Sequence, residues 1–142
     1  MRRYAVHYSQ PSVTFTDQYF EIDAGIQDLF TASVQFGTSP YNYTWSIGNH
    51  TIGYGSSLTF SFTSPGIYYV NLSVMDYFGY VAKSSHMVAV EVSPIPSISA
   101  NRTIIDNGMS ISFLSGITGG VGPYNYTWKH NIHIFLVHIC IQ

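Results

Sequence analysis

Apolar and polar residues alternate along several stretches of this chain, with the period of two that half-buried β-strands show. The clearest alternation runs over 30–36, 41–47, 58–62 and 67–75. Ser12 to Phe20 is also rich in β-branched and aromatic residues and is predicted as a first strand. No window places apolar residues at helical spacing between caps. The pattern therefore predicts an all-β protein.

Turn residues separate the predicted strands. They are Asp23-Ala24-Gly25, Gly37 to Pro40, Gly48-Asn49, Ser64-Pro65-Gly66 and Asp76 to Gly79. After the last of these turns, a final strand is predicted in two parts, Tyr80 to Ala82 and Met87 to Val92, with a polar interruption at Lys83 to His86. Strands of this number and length favour a two-layer sandwich, with Trp45 between its sheets.

A six-residue stretch occurs twice. Pro40 to Trp45 returns 83 positions later as Pro123 to Trp128, and the same offset aligns Asp23 with Asp106. This period exceeds the roughly 20–50 residues of solenoid repeats and suits a small sandwich domain. We therefore predict a lead-in at 1–10, a complete sandwich at 11–93, a partial second copy at 94–128 and an unmatched tail at 129–142.

The partial copy should expose apolar side chains and strand edges. It carries the first strands of a sandwich without counterparts of residues 57–92. Its core-facing residues are expected to be poorly covered, namely Phe113, Ile117, Tyr124, Tyr126 and Trp128. Exposed strand edges of this kind pair readily with other chains.

The motif around the repeat resembles a known family. Pro-Tyr-x-Tyr-x-Trp, followed by Ser64-Pro65-Gly66-Ile67-Tyr68 and by Asp76 and Gly79, resembles the PKD domain of microbial and archaeal cell-surface proteins. The signature positions are Tyr41, Tyr43, Trp45, Pro65, Gly66, Tyr68, Val70, Leu72, Val74, Asp76 and Gly79. Trp45-Ser46-Ile47-Gly48-Asn49-His50 departs from the family pattern, because the usual acidic residue is missing.

The resemblance carries expectations of fold, location and role. It implies an immunoglobulin-like antiparallel sandwich, exposed at the cell surface or secreted, beside neighbouring repeats of a longer protein. Its partners would be proteins or glycans. The function expected is a non-catalytic spacer or interaction module; the alternatives are a carbohydrate-binding accessory module and a fragment of a secreted hydrolase. A hydroxyl bond from Tyr68 to the preceding turn is a further expectation.

Composition narrows the choice of partners. Only 8% of the residues are charged, against about a quarter in typical domains. Five basic residues are too few for a nucleic-acid-binding surface. The apolar run Ile132 to Ile141 is shorter than the about 20 residues a membrane span needs. Met1-Arg2-Arg3 is not followed by the apolar segment of an export signal.

Five asparagines lie in Asn-x-Ser/Thr sequons: Asn42, Asn49, Asn71, Asn101 and Asn125. Asn42 and Asn71 fall on the predicted outward face of their strands, where a glycan would point into water. The alternative is that a chain rich in Ser, Thr and Asn generates sequons by chance.

The candidates for chemistry are weak, and we predict no catalytic, cofactor or metal site. His130, His133 and His138 lie near Cys140, the single cysteine, but no cysteine pair completes a zinc site. The run Gly116 to Gly122 lacks the Lys-Ser/Thr of a phosphate loop. A weak calcium site at Asp76 is the remaining alternative.

Aromatic residues near one hairpin offer a possible binding surface. Tyr69, Tyr77, Phe78 and Tyr80 could form an exposed patch that stacks on sugars. Cross-strand packing on the sheet is the favoured explanation for the same residues.

Overall fold

The computed structural model describes residues 9–129, and every regular secondary-structure element within that range is a β-strand. The ten strands are β1 (Ser12–Asp17), β2 (Glu21–Asp23), β3 (Gln27–Gln35), β4 (Asn42–Ile47), β5 (His50–Tyr54), β6 (Ser57–Ser61), β7 (Gly66–Met75), β8 (Val81–Glu91), β9 (Ile95–Ala100) and β10 (Phe113–Thr118). The predicted all-β class is confirmed. The histidines of the tail and Cys140 lie outside the described residues.

The first eight strands form two sheets. One sheet has the order β1-β3-β6, and the other has the order β2-β8-β7-β4-β5. Every pairing is antiparallel except that of β2 with β8, which is parallel. The longest pairing joins β7 to β8, from Gly66 opposite Val90 to Met75 opposite Val81. This arrangement is the predicted immunoglobulin-like sandwich.

The core lies between the two sheets and is centred on Trp45. The rings of Phe15 and Phe30 have their centroids 5.0 Å and 6.0 Å from that of Trp45. The other buried apolar residues are Val13, Ile22, Phe62, Val70, Leu72, Val74, Val88 and Val90. Burying one such side chain contributes about 1.5–3 kcal/mol, so this sandwich is held by its apolar core.

The chain crosses between the sheets earlier than the sequence pattern predicts. Ser12 to Phe20 is not one strand, because β1 ends at Asp17 and β2 begins in the other sheet at Glu21. The Asp28 carboxylate accepts hydrogen bonds from the backbone amides of Gln18 and Tyr19. These bonds help to satisfy the amides of the crossing residues, of which Gln18 also donates its N–H to the Leu29 carbonyl at 3.1 Å.

Two further details differ from the prediction. The predicted interruption at Lys83 to His86 is wrong, since β8 runs unbroken from Val81 to Glu91. The backbone of β8 pairs with that of β7 irrespective of the polar side chains on this stretch, and Lys83 lies opposite Ser73 in the register. Phe36 does not continue the alternation of β3, because it is exposed and has a φ of 63°.

Strands β9 and β10 reproduce the pairing of β1 and β3. Ile95 lies opposite Thr118, as Ser12 lies opposite Gln35, and Ala100 lies opposite Phe113, as Asp17 lies opposite Phe30. Each pair is displaced by 83 positions from its counterpart. The two strands form a separate two-stranded sheet.

Candidate functional site

The signature residues fall into core and turn positions of the sandwich. Trp45, Val70, Leu72, Val74 and Asp76 are buried, while Tyr41, Tyr43 and Tyr68 are half-buried against the core. Pro65, Gly66 and Gly79 are exposed at the ends of strands. The Tyr68 hydroxyl donates to the Ser64 carbonyl at 2.9 Å, as expected for a tyrosine that follows a turn.

Asp76 has a structural role at the turn between β7 and β8. Its Oδ1 accepts the backbone N–H groups of Phe78 and Tyr80 at 3.0 Å and 2.9 Å. Its Oδ2 accepts the Thr38 N–H at 3.2 Å. Both oxygens are therefore directed at backbone donors. Within residues 9–129, no three acidic, histidine or cysteine side chains cluster as metal ligands would.

The sandwich is joined to β9 by a short connection. β8 ends at Glu91 and β9 begins at Ile95, so three residues separate the two strands. One of them is Pro94, and a second proline, Pro96, lies inside β9. Proline restricts φ and stiffens a connection of this length.

Three hydrogen bonds hold this connection between the turn at Asp23 and the loop at Gly120. Val121 donates its backbone N–H to Asp23 Oδ1 at 2.8 Å, although the two residues are 98 positions apart. Gly120 donates to the Val92 carbonyl at 2.7 Å. The Ser93 hydroxyl donates to the Ala24 carbonyl at 3.2 Å. We call these contacts the junction. Asp23, predicted only as a turn residue, supplies its charged acceptor.

Close packing explains the glycines of the junction. Gly119 and Gly120 have φ values of +72° and +78°, which favour glycine. A Cβ on Gly120 would come within 2.7 Å of Pro94 Cβ, and one on Gly119 would collide with Val92. The predicted loop is therefore wrong for Gly116 to Thr118, which belong to β10, and right for Gly119 to Gly122. Gly119 and Gly120 admit the connection between β8 and β9.

The centre of the outer face of the five-stranded sheet is polar and shallowly concave. A depression of about 470 Å³ is lined by Ser46, Gly48, Asn71, Leu72, Ser73, Lys83, Ser84 and Ser85. The register sets Ser46 opposite Asn71 and Asn71 opposite Ser85, which makes a row across three strands. This face offers neutral hydrogen-bonding groups and one ammonium group, a set suited to a polar, uncharged ligand.

The sequons occupy different environments. Asn42, Asn49, Asn101 and Asn125 are exposed, and Asn71 is half-buried in the centre of the sheet. Asn71 donates its side-chain amide to the Tyr69 carbonyl at 3.3 Å. The Asn101 side chain accepts the Ser112 N–H at 2.9 Å. Glycosylation of any of the five remains a prediction.

The four aromatic residues do not form one coplanar row. Tyr77 and Phe78 pack edge to face, with centroids 5.1 Å apart and planes at 82°. Tyr69 lies opposite Met87, six residues before the end of β7, so it is about 20 Å from the hairpin. The exposed aromatic surface at the hairpin is therefore Tyr77, Phe78 and Tyr80 alone.

Asp28 was not singled out by the sequence pattern. Its side chain is fully buried, Oδ1 accepts N–H groups from Gln18, Tyr19 and Leu29, and Oδ2 has no hydrogen-bond partner. Burial raises the pKa of this carboxyl, against the lowering effect of its backbone donors. Extending the alternation of β3 back from Phe30 by two residues would have placed this carboxylate on the core side.

The fold and surfaces define an immunoglobulin-like β-sandwich module, in which buried carboxylates accept backbone hydrogen bonds and the centre of the outer sheet face is polar. Residues 21–89 match the family model described as PKD domain, just under half of the 142 residues. The match supports a PKD domain at these residues, as the sequence resemblance predicts. The part of the chain that the structure describes has no helix long and apolar enough to cross a membrane.

Comparison with solved structures agrees with the fold. A structure of carbohydrate-binding modules from the beta-sandwich super family matches with a TM-score of 0.55 and 14% sequence identity. The alignment covers 77% of this chain and 55% of that one, so the chain spans about half the length of the matched structure. At this identity the likeness concerns the fold alone. No curated protein sequence matches the chain significantly.

Proposed function

We propose that the chain is a non-catalytic spacer of an extracellular or cell-surface protein, in which consecutive sandwiches are held at a fixed orientation. The observation that carries the proposal is the junction, above all the bond from Val121 N–H to Asp23 Oδ1 at 2.8 Å. Adjacent domains move relative to each other by default unless their interface restrains them. A three-residue connection with a proline and bonds on both sides supplies that restraint.

Recurrence of the contact supports a role in a tandem array. Gly37 donates its N–H to the Ser9 carbonyl at 3.0 Å, and Gly120 donates to the Val92 carbonyl at 2.7 Å. The two bonds are related by the 83-residue offset. The same entry geometry is thus built at the start of both 11–93 and 94–128, which we assign as successive repeats.

The spacer proposal is tested by the width of a distance distribution. Spin labels on Ser33→Cys and Leu114→Cys, both exposed positions, would report the separation of the two repeats, with Cys140→Ser preventing a third label. A fixed junction predicts one narrow distribution. Asp23→Ala should broaden it, because the Val121 N–H loses its charged acceptor.

Asp106 provides the matched control. It is the counterpart of Asp23 at the same turn of the second repeat, and it is exposed. Asp106→Ala should leave the distribution unchanged. A broad distribution in the unsubstituted chain, or equal broadening by both substitutions, would contradict a rigid spacer.

Glycan binding on the polar outer face is the second function, and the row Ser46, Asn71 and Ser85 favours it. Hydroxyl, amide and ammonium groups across a concave sheet match the hydroxyls of a neutral sugar chain. Titration of the full chain with neutral oligosaccharides would test this. Lys83→Ala with Ser73→Ala should remove binding, and Thr59→Ala, on the other sheet, should not. Absence of binding to every neutral glycan tried would exclude this function and leave the spacer role intact.

A further inference from the structure

The second repeat presents an apolar face that is buried in the first. We define the second apolar face as Pro96, Ile98, Phe113, Ile117 and Trp128. Ile98, Phe113 and Trp128 are 65%, 55% and 53% exposed. Their counterparts in the first repeat, Phe15, Phe30 and Trp45, are 2%, 0% and 0% exposed.

The aromatic pair of this face has nearly the same geometry as the matching pair in the buried core of the first repeat. Phe113 and Trp128 have ring centroids 6.3 Å apart and planes at 43°. Phe30 and Trp45, buried in the first repeat, are 6.0 Å apart with planes at 46°. A depression of about 460 Å³ lies over Ile98, Ile117 and Trp128. Preorganised side chains lower the entropic cost of binding.

A strand edge borders the same face. In the first repeat, β4 pairs with β7 from Asn42 opposite Met75 to Ile47 opposite Val70. The counterpart of β4 begins at Asn125, and no strand is assigned between residues 123 and 129 of the described range. The segment has the sequence of a central strand and lacks the ladder that makes β4 one.

We propose that the second apolar face binds a β-hairpin with the pattern of β7 and β8, by strand addition along Asn125 to Lys129. The first repeat shows what covers this face. Val70, Leu72 and Val74 of β7, with Val88 and Val90 of β8, belong to the same buried cluster as Phe15, Phe30 and Trp45. The partner is thus an antiparallel hairpin with apolar residues at alternate positions and few charges. Backbone bonds supply affinity and the alternate side chains supply specificity.

The proposal does not depend on the spacer function and is tested on the full chain. The probe is a synthetic peptide of residues 66–91 of this sequence. Hydrogen exchange is followed at 113–129 as the peptide is titrated. Binding should slow exchange at Tyr126 to Trp128 at least about tenfold in a saturable manner, since a paired strand opens more rarely than an exposed one. Exchange at 42–47 should not change, because that edge is already paired.

Two controls set the specificity. The peptide carrying Val70→Asp and Val74→Asp should give no protection, since both carboxylates would enter the apolar face. In the chain, Trp128→Ala should weaken binding at least about tenfold, because a few buried aromatic anchors commonly supply most of the affinity of an interface. Its effect on the first repeat should be negligible.

Three results would overturn the proposal. One is that the peptide slows exchange at 113–129 no more than its variant with Val70→Asp and Val74→Asp does at the same concentration. Another is full protection of 113–129 without peptide in a monomer, which would mean that the chain covers its own face. The third is protection that rises with protein concentration alone, together with dimer formation in sedimentation, which would make a second copy the occupant.

Discussion

Trp45 donates a hydrogen bond from its indole Nε1 to the Gly55 carbonyl at 2.9 Å, while its side chain is completely buried. The bond ties the centre of the core to the connection between β5 and β6. Trp45 is the largest fully buried side chain of the sandwich, and it also satisfies a backbone carbonyl. A phenylalanine could pack in the core but could not donate this bond.

Trp45 and Trp128 are a matched pair of positions for measuring the two repeats. Trp45→Ala should lower the free energy of unfolding of the first repeat by about 3–5 kcal/mol, the usual cost of emptying a buried aromatic site. Trp128→Ala should change it by less than about 0.5 kcal/mol, as exposed substitutions usually do. Urea denaturation followed by far-ultraviolet circular dichroism measures both. Equal effects would mean that the repeats unfold as one cooperative unit.

The sequence predicts the strands best where one face is buried. Alternation located β3, β4 and β7 because apolar residues at every second position must face one core. It could not place the crossing at Gln18 to Phe20, since the carboxylate that accepts hydrogen bonds from the crossing residues belongs to Asp28, ten positions beyond Gln18. The sequence pattern also predicted a break in β8 at Lys83. The polar side chains there gave no sign of the strand, because its backbone pairs with β7 while its outer face is exposed to solvent.

Asp76 should be among the most sensitive polar positions of the first repeat. Asp76→Ala leaves the N–H groups of Thr38, Phe78 and Tyr80 without their acceptor, and we expect a loss of at least about 2 kcal/mol, because hydrogen bonds to charged groups contribute about 1.5–3 kcal/mol each. Asp76→Asn, which keeps one acceptor oxygen, should cost less. Chemical denaturation measures the order of the two variants. An Asp76→Ala protein as stable as Asp106→Ala would contradict this role.

The contact between Asp23 and Val121 at the junction could not be predicted from local sequence patterns. The turn at Asp23 and the glycine-rich run at 116–122 are each visible in the sequence. Their contact joins residues 98 positions apart and depends on how the second repeat is set against the first. The repeat offset was the available signal, because it aligns Gly120 with Gly37 and predicts that both enter similar surroundings.

Asp28 should make the first repeat more stable in mild acid than near neutrality. Burial raises the pKa of its carboxyl in the folded state, so between the ordinary value and the raised one the folded protein binds more protons than the unfolded chain. The free energy of unfolding then falls as pH rises through that window. Urea midpoints across the acidic range measure the slope. Asp28→Asn should remove this contribution, while Asp106→Asn, at an exposed site, should retain it.

If the free energy of unfolding fell more steeply with rising pH in Asp28→Asn than in the unsubstituted chain, the carboxyl would instead be stabilised in its charged form. Such a result would assign the larger effect to the three backbone donors, not to burial. The second repeat offers an independent comparison, since position 111 carries isoleucine where the offset places the counterpart of Asp28.

Phe36 marks a position where the first repeat can be improved. Its φ of 63° lies in the left-handed region, which costs an L-residue with a bulky side chain about 1–2 kcal/mol. Its counterpart Gly119 adopts 72° without that cost, and each carbonyl accepts a tyrosine hydroxyl, from Tyr41 at 2.8 Å and from Tyr124 at 2.9 Å. The Phe36 ring is 65% exposed, so little burial is lost on replacement.

Phe36→Asn should therefore stabilise the first repeat by about 0.5–1 kcal/mol, because asparagine tolerates this conformation. Thermal denaturation against Phe20→Asn, an equally exposed site with negative φ, measures the difference. A Phe36→Asn protein less stable than Phe20→Asn would show that the ring stabilises the turn more than its backbone strains it.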